Sequence, residues 1–319
     1  MDEFARIHTY FAPLATAEPG AFDLKDDAAM LTPKAGEQLV ITQDTLVENI
    51  HFPQNEHPFL VAQKSLRVNL SDLIAKGAKP HCYFLSLSLP EHTDEKWLAN
   101  FVEGLAEDQK AYGITLMGGD STRSPHSIVI TVTAIGTTSA PMIQRKGAKP
   151  GDTIYVSGTI GDSGLGHAIL QGQHPQADAS TKATLKHRYQ QPNPRIELID
   201  TLQRHAHAAM DVSDGLLQDL RHLCETSGVG AKLELEKIPL SGAAQNLLGE
   251  TPSADDLLML ATAGDDYEVL FTAAENTLEA MPTPVTAIGK ITDKADMVIT
   301  PTYNGKHVTL PERLGYRHY

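Results

Sequence analysis

DVSDGLL, residues 211–217, follows an apolar run (Ala206, Ala208, Ala209, Met210) and leads into a helix-like stretch beginning at Leu216. Helix capping explains one of its polar residues, because a Ser or Asp just before an apolar-periodic run accepts hydrogen bonds from first-turn N–H groups. Ser213 or Asp214 can do this, whereas Asp211 stands before Val212, outside the turn being capped. The arrangement recurs. LVITQD ends a strand pattern at Asp44, with Thr42 two residues earlier, and ITLMGGD ends another at Asp120 after Gly118 and Gly119. LKDDAA adds Asp26 and Asp27, and VNLSDLIAKGA adds Asp72, which in a helix shares a face with Asn69. Open α/β sheets bind ligands beyond the carboxyl ends of their strands, where such acids can converge.

Converging carboxylates either raise a pKa or recruit cations. Oxygen ligands without His or Cys spacing favour hard ions, Mg²⁺ first and Ca²⁺ or Mn²⁺ behind it. Because Mg²⁺ takes few carboxylates and completes its shell with water and substrate phosphates, the pattern points to a polyphosphate site assembled by metal. Composition agrees. The formal charge of −14, from 26 basic and 40 acidic residues, argues against a nucleic-acid footprint or a polybasic membrane surface. An acidic chain can still bind ATP through bridging cations.

At 319 residues the chain is expected to form two domains, 1–140 and 141–319, joined near the Pro-, Gly- and Lys-rich segment 139–152. Strand patterns occupy 38–43, 82–89, 113–118, 127–136 and 152–158, then 229–235, 266–272, 284–291 and 296–300. Helical periodicity marks 59–77 and 94–113, each ending at a Gly suited to a C-cap, and further helices near 162–171, 194–206 and 215–227. The stretch 171–182 reads as a surface loop, and His205 and His207 as helix-end residues. The start, MDEFARIHTYF, lacks a basic region followed by an apolar one, and two distant cysteines, Cys82 and Cys224, suit a reducing compartment. The expectation is a cytoplasmic α/β protein with no membrane span.

Neither GxxxxGK[ST] nor an HRD with a DFG partner occurs, which excludes the P-loop and protein-kinase arrangements. The run SGTIGDSGLG (157–166) does not fit GxGxxG. It reads as a tight turn before a helix, though such a loop can also offer N–H groups to a phosphate.

Taken together, DDAA (26–29), TQDTLVENIHF (42–52), NLSDLIAKGAKP (69–80), YGITLMGGDSTRS (112–124), VSGTIGDSGLG (156–166), DVSDGLLQDL (211–220) and GDDYEVLF (264–271) resemble the thiamine-monophosphate kinase family, in order and over nearly the whole chain. That family lies in the superfamily named after aminoimidazole ribonucleotide synthetase. The resemblance implies a two-domain α/β (α+β) fold whose N-terminal strands pair across a homodimer. It also implies ATP as co-substrate, several Mg²⁺ ions, and phosphorylation of thiamine monophosphate to thiamine diphosphate. Matching metal positions are Asp27, Thr42, Asp44, Asp72, Asp120, Asp211 and Asp214, with no catalytic residue beyond these ligands. Tyr112, Gly119, Asp120, Arg145 and Ser213 match ATP-contacting places, and His51, Asp265 and Tyr316 match substrate-contacting ones. Lys25 stands where the family usually has Gly before its two acids, and Asp265 where it usually has Glu.

Two other readings stand beside this one. Among sister enzymes, the hydrogenase maturation dehydratase is expected to end in a reactive cysteine, whereas this sequence ends ArgHisTyr; selenophosphate synthetase is expected to carry a reactive Cys or Sec near its start, and none precedes Cys82. A Mg-nucleotide sensor without turnover is expected to have lost acidic ligands, and here the acidic set is full.

Overall fold

Alternating apolar and polar residues build the first sheet. In the computed structural model, which describes residues 3–275, 281–294 and 297–317, the chain divides into one unit of Met1–Ile74 with Ala78–Pro141 and another of Ala75–Gly77 with Met142–Tyr319. The first unit carries strands β1 (Gln38–Val47), β2 (Lys79–Leu89), β3 (Thr115–Arg123) and β4 (Val129–Thr138) in the order β1-β4-β2-β3. The β2–β3 pair is parallel and the others are antiparallel. Helix α1 (Pro58–Ala75) connects β1 to β2, and α2 (Glu95–Tyr112) connects β2 to β3. Asp94 caps α2 by accepting from the Trp97 N–H at 2.7 Å, and Gly113 ends it in the left-handed conformation that glycine adopts without a Cβ clash.

Leu66, Leu70, Leu73 and Ile74 of α1 are fully buried. Each such side chain contributes about 1.5–3 kcal/mol through burial, so packing rather than any single polar contact fixes the helix and the Asp72 it carries. Three short helical stretches between Glu3 and Ala15, which the sequence patterns did not mark, precede β1.

The second unit is a mixed seven-stranded sheet. Its strands are β5 (Thr153–Ser157), β6 (Ala206–Asp211), β7 (Gly230–Glu234), β8 (Val269–Ala273), β9 (Val285–Thr292), β10 (Ile299–Tyr303) and β11 (Lys306–His307), in the order β11-β10-β7-β9-β5-β8-β6. Helices α3 (Asp162–Leu170), α4 (Ala179–Gln190), α5 (Ile199–His205), α6 (Leu216–Ser227), α7 (Gly242–Leu248) and α8 (Ala254–Ala261) accompany it. Ile154, Val156, Met210, Leu216, Leu220 and Leu270 are part of one core cluster that ties β5, β6 and β8 to α6.

Several expectations change here. The loop expected over 171–182 gives way to α4 at Ala179, whose N-terminus Asp178 caps by accepting from the Thr181 N–H. This helix buries only Thr181, Leu185 and Tyr189, a stripe too narrow to register as an apolar face. The helix expected to reach 206 stops at His205, and 206–211 forms the edge strand β6, so His207 lies in a strand. The strand expected to start at 266 starts at Val269 because the residues before it serve a loop. Of the strand expected over 296–300, residue 296 lies outside the described residues, as do 318 and 319 of the ArgHisTyr end. No helix among the described residues is long and apolar enough to cross a membrane.

Glu268 anchors the second unit. It is fully buried, accepts from Ser157 Oγ at 2.6 Å, and pairs with Arg188 at 2.8 Å and Arg195 at 2.6 Å. Removing one partner from a buried ion pair costs about 3–5 kcal/mol, because the remaining charges stay desolvated. Glu268→Gln is therefore expected to lower the stability of this unit by about that amount in urea unfolding, and a loss well under ~1 kcal/mol would contradict the anchoring role.

Candidate active site

In the first unit, β1 alternates its faces. Val40 and Leu46 are buried, and Thr42 and Asp44 share their face, whereas Ile41, Gln43 and Thr45 are exposed on the other. Thr42 Oγ1 donates to Asp72 Oδ2 at 2.6 Å, which ties β1 to α1. Burial, with the Asp72 carboxylate close by, pushes Asp44 up to about 7. Asp44 does not end its strand. Pairing with β4 continues through Thr45, Leu46 and Val47 against Thr131, Ile130 and Val129, so the acid sits within β1. Asp120 is likewise internal, since β3 runs on beside β2 to Arg123.

Register then separates these acids. Asp120 pairs with Ser86, Ser86 with Thr131 and Thr131 with Thr45, which places Asp120 on the sheet face opposite Asp44. There Asp120, Gly119, Asp26, Asp27, Phe84 and Met117 are among the residues lining a cavity of about 630 Å³. Gly119 is required: a Cβ at this position would collide with the Leu85 carbonyl of β2. Lys25 has φ −106° and ψ −4°, open to any residue. The left-handed positions of this loop are instead Phe22, Asp23 and Leu24.

Among the described residues no three His, Cys, Asp or Glu side chains gather into a metal-holding group. What the first unit does assemble is an oxygen set. The Thr42 hydroxyl and the Asp44 and Asp72 carboxylates stand together, and one turn earlier on α1 the buried Asn69 Oδ1 has no hydrogen-bond partner. A hard divalent ion suits such donors and would offset the burial and the Asp72 charge that hold the Asp44 pKa up.

His51 and Tyr112 also belong to this unit. His51 Nδ1 accepts the Val47 N–H at 2.9 Å, which leaves the proton of the neutral ring on Nε2. The Arg67 guanidinium lies 5.6 Å from the centre of the Tyr112 ring and pairs with buried Asp108 at 2.7 Å.

In the second unit, the opening stretch is a turn held from three sides. Asp211 is buried at the end of β6. Asp219, one turn into α6, accepts the N–H groups of Ser213, Asp214 and Gly215, each at 3.1 Å. Burial and Asp214 push Asp219 up to about 7 against these donors and Arg145. From a second side, Asp265 N–H donates to Ser213 O and Tyr267 N–H to Val212 O, both at 2.8 Å. Asp265 and Tyr267 both have left-handed backbones, with φ of 69° and 50°. Such conformations cost about 1–3 kcal/mol each and persist where surrounding contacts dictate them. From the third side, Tyr316 N–H donates to Asp214 O at 2.9 Å, and Gly315 lies too close to that carbonyl for a Cβ. Asp211, Ser213, Asp214, Asp265 and Tyr316 are thus gathered by one network. Arg145 is exposed, and its charge reaches Asp219.

The Gly-rich run 157–166 is not an open phosphate cradle. Asp266 Oδ2 accepts the Gly161 N–H at 2.6 Å and Oδ1 the Ser163 N–H at 3.2 Å, so the chain's own carboxylate occupies the start of α3. Sequence reasoning missed Asp219, Asp266 and Glu268. All lie inside quoted stretches, and the available signal was acids sitting at buried positions of otherwise apolar patterns.

Two family models match: AIR synthase related protein, N-terminal domain, over residues 25–138, and AIR synthase related protein, C-terminal domain, over 149–301. The chain is 41% identical to thiamine-monophosphate kinase of Caulobacter vibrioides, with 99% of this chain and 90% of the relative covered. Its fold is similar to the thiamine-monophosphate kinase structure from Stenotrophomonas maltophilia K279a, with a TM-score of 0.79, 39% identity and 89% and 91% of the two chains covered. It is also similar to AaThiL complexed with AMPPCP and TMP, with a TM-score of 0.80, 31% identity and 95% and 98% covered.

Burial pushes Asp266 up to about 8, outweighing its backbone donors and Arg188. The folded chain therefore holds this proton more tightly than the unfolded chain. Its contribution to stability is full below the unfolded value near ~4 and is lost as pH rises toward ~8. Asp266→Asn should consequently gain in melting temperature relative to the unaltered protein as pH rises from about 5 to about 8. A gap independent of pH would mean that Asp266 is ionised throughout.

Proposed function

The chain belongs to the thiamine-monophosphate kinase family, built from the N- and C-terminal domains of AIR synthase related proteins, and on that premise we propose that it transfers the terminal phosphoryl group of ATP to thiamine monophosphate. The products are thiamine diphosphate and ADP. The single observation that carries this reading is 41% identity over nearly the full length, paired with a similar fold described in complex with AMPPCP and TMP. As a kinase it is a phosphotransferase whose acceptor is itself a phosphate.

The bond balance is simple. An oxygen of the thiamine phosphate forms a bond to the γ-phosphorus in line, the bond from that phosphorus to the β–γ bridging oxygen breaks, and ADP leaves with the electron pair. A phosphate monoester is largely ionised near neutral pH, its second pKa being about 6, so no strong general base is needed. The protein's task is to orient two polyanions and offset their charge.

Asp27, Thr42, Asp44, Asp72, Asp120, Asp211 and Asp214 would hold several Mg²⁺ ions. When bound, Mg²⁺ neutralises phosphate oxygens and orients them for transfer. Asp219 holds the Ser213–Gly215 backbone in place for that purpose. ATP is assigned to Tyr112, Gly119, Asp120, Arg145 and Ser213, with Gly119 letting the chain pass close to β2. The thiamine phosphate is assigned to His51, Asp265 and Tyr316. His51 offers an Nε2–H donor, and Asp265, one methylene shorter than the usual Glu, is steadied by the Tyr267 hydroxyl, 3.2 Å from its Oδ1.

A homodimer through β1 is part of the proposal. This strand is a sheet edge and exposes Leu39 at 37% and Ile41 at 61%, an apolar edge that proteins ordinarily cover. A cytoplasmic location accords with two buried, unbridged cysteines.

Chromatography of a mixture of protein, ATP, Mg²⁺ and thiamine monophosphate should show thiamine diphosphate and ADP appearing in equal amounts, abolished by chelator. ATP consumption without thiamine diphosphate would redirect the assignment to a sister enzyme. Asp120→Asn should keep its melting temperature and lose at least ~100-fold in turnover, since removing one preorganised electrostatic group from an active site commonly costs ~10²–10³. Near-normal turnover at saturating Mg²⁺ would remove Asp120 from the site. Light scattering should report a dimer, and a strict monomer at micromolar concentration would refute the β1 interface.

A further inference from the structure

Ser227, the last residue of α6, makes contacts that the reaction as described does not use. Its Oγ donates to the Arg145 carbonyl at 3.0 Å and accepts the N–H groups of Gly147 at 3.1 Å and Ala148 at 3.2 Å. One hydroxyl therefore closes a ring around residues 145–148. The segment is pinned on either side as well. Before it, Gln144 O accepts the Ala209 N–H of β6 at 3.0 Å. After it, Asp152 accepts the Lys149 N–H at 2.9 Å, and both its carboxylate oxygens lie within 3.0 Å of His207 Nδ1. Gly147, with φ at 138°, lies against the His207 carbonyl with no room for a Cβ.

The backbone of this loop is held firmly, yet the Arg145 side chain is exposed and its charge reaches Asp219, near the other end of α6. Asp219 in turn holds the Ser213–Gly215 turn. A long, rotamer-rich side chain loses affinity for an anion when its base is loose, because binding must then order backbone and side chain together. Fixing the base lowers that cost.

We propose that Ser227 is a positioning residue for ATP: its hydroxyl sets the 145–148 backbone so that Arg145 is presented to a phosphate of the nucleotide. This rests on the assignment of Arg145 to ATP made above. Ser227 does not itself touch the substrate, so its loss should appear in binding of the nucleotide rather than in the transfer step.

The test is steady-state kinetics of the full chain, varying ATP at saturating thiamine monophosphate and Mg²⁺, for Ser227→Ala, Ser227→Thr, Arg145→Ala and the Ser227→Ala/Arg145→Ala double variant. Ser227→Ala should raise the KM for ATP about three- to tenfold, the range expected for lost hydrogen bonds of this kind. Its kcat should stay within about twofold and its KM for thiamine monophosphate should not move. Ser227→Thr retains the hydroxyl and should restore the KM. In the Arg145→Ala background, removal of the hydroxyl should add little, as expected when one residue acts through the other. A Ser227→Ala protein whose KM for ATP is unchanged while Arg145→Ala raises it would overturn the positioning role and leave the Arg145 assignment standing. An unchanged KM in Arg145→Ala would overturn both. A lowered melting temperature with no movement in KM would assign Ser227 to stability alone.

Discussion

The segment Asp265–Glu268 is the constraint on which the second unit depends. Glu268 is pinned in the core by Arg188, Arg195 and Ser157, and its carbonyl accepts the Val212 N–H at 2.8 Å. With that residue fixed, Tyr267 and Asp265 reach Val212 and Ser213 through their backbone N–H groups, and Asp266 reaches the opposite way to Gly161 and Ser163. Four consecutive residues thus stitch the end of β6, the turn that follows it and the start of α3 together. The left-handed backbones at Asp265 and Tyr267 follow from this, because the segment must alternate direction at every residue.

This arrangement sorts the acids into two kinds. Asp219, Asp266, Glu268 and Asp108 are buried and surrounded by the chain's own donors, either backbone N–H groups or arginines. They are committed to the fold, Glu268 and Asp108 through arginines, and Asp219 and Asp266, raised by burial to about 7 and about 8, through oxygens that accept backbone N–H groups. Asp27 and Asp120 are exposed around a cavity, and Asp44 lies near Asp72 with a pKa raised by proximity and burial. A net charge of −14 therefore does not describe the surface a phosphate meets. On the proposed function, cations carried with the nucleotide would supply the missing attraction, and the acids committed to the fold would not compete for them.

Much of this was legible in residue order. Strand alternation located β1, β2 and β4, and the Gly C-cap located the end of α2. The DVSDGLL junction signalled the end of an apolar run followed by a helix start, and α6 begins at Leu216 as expected. Yet β6 itself carries three alanines, whose weak strand preference hid it behind the preceding helix. Helix α4 escaped because its polar sequence buries a single narrow stripe. Asp219 escaped for a different reason: local capping rules favour the residue before a helix, whereas here the acid reaches back from inside it to three N–H groups. Asp44 and Asp120 read as strand ends because charged residues commonly stop a strand, and pairing with β4 and β2 carried both strands past them. Which face each acid takes depends on register, and register is a property of paired strands that no single segment contains.

The Gly-rich run shows how the two kinds of acid can be confused. By composition, 157–166 reads as a tight turn before a helix that can also offer N–H groups to a phosphate, and a helix start with open N–H groups would attract one. Asp266 fills that place, its two carboxyl oxygens accepting the Gly161 and Ser163 N–H groups that a ligand would otherwise take. Asp219 does the same at the start of α6. Both helix N-termini of the kind that bind phosphates in other folds are thus occupied by the protein. On the proposed function, phosphate recognition would fall to oxygen-bound cations and to residues such as Arg145, Ser213 and Gly119, a division that suits a reaction whose two substrates are both polyanions. Donors spent on one phosphate would hold it where it was bound, whereas cations held by the acidic residues would offset charge as it develops on the transferred group.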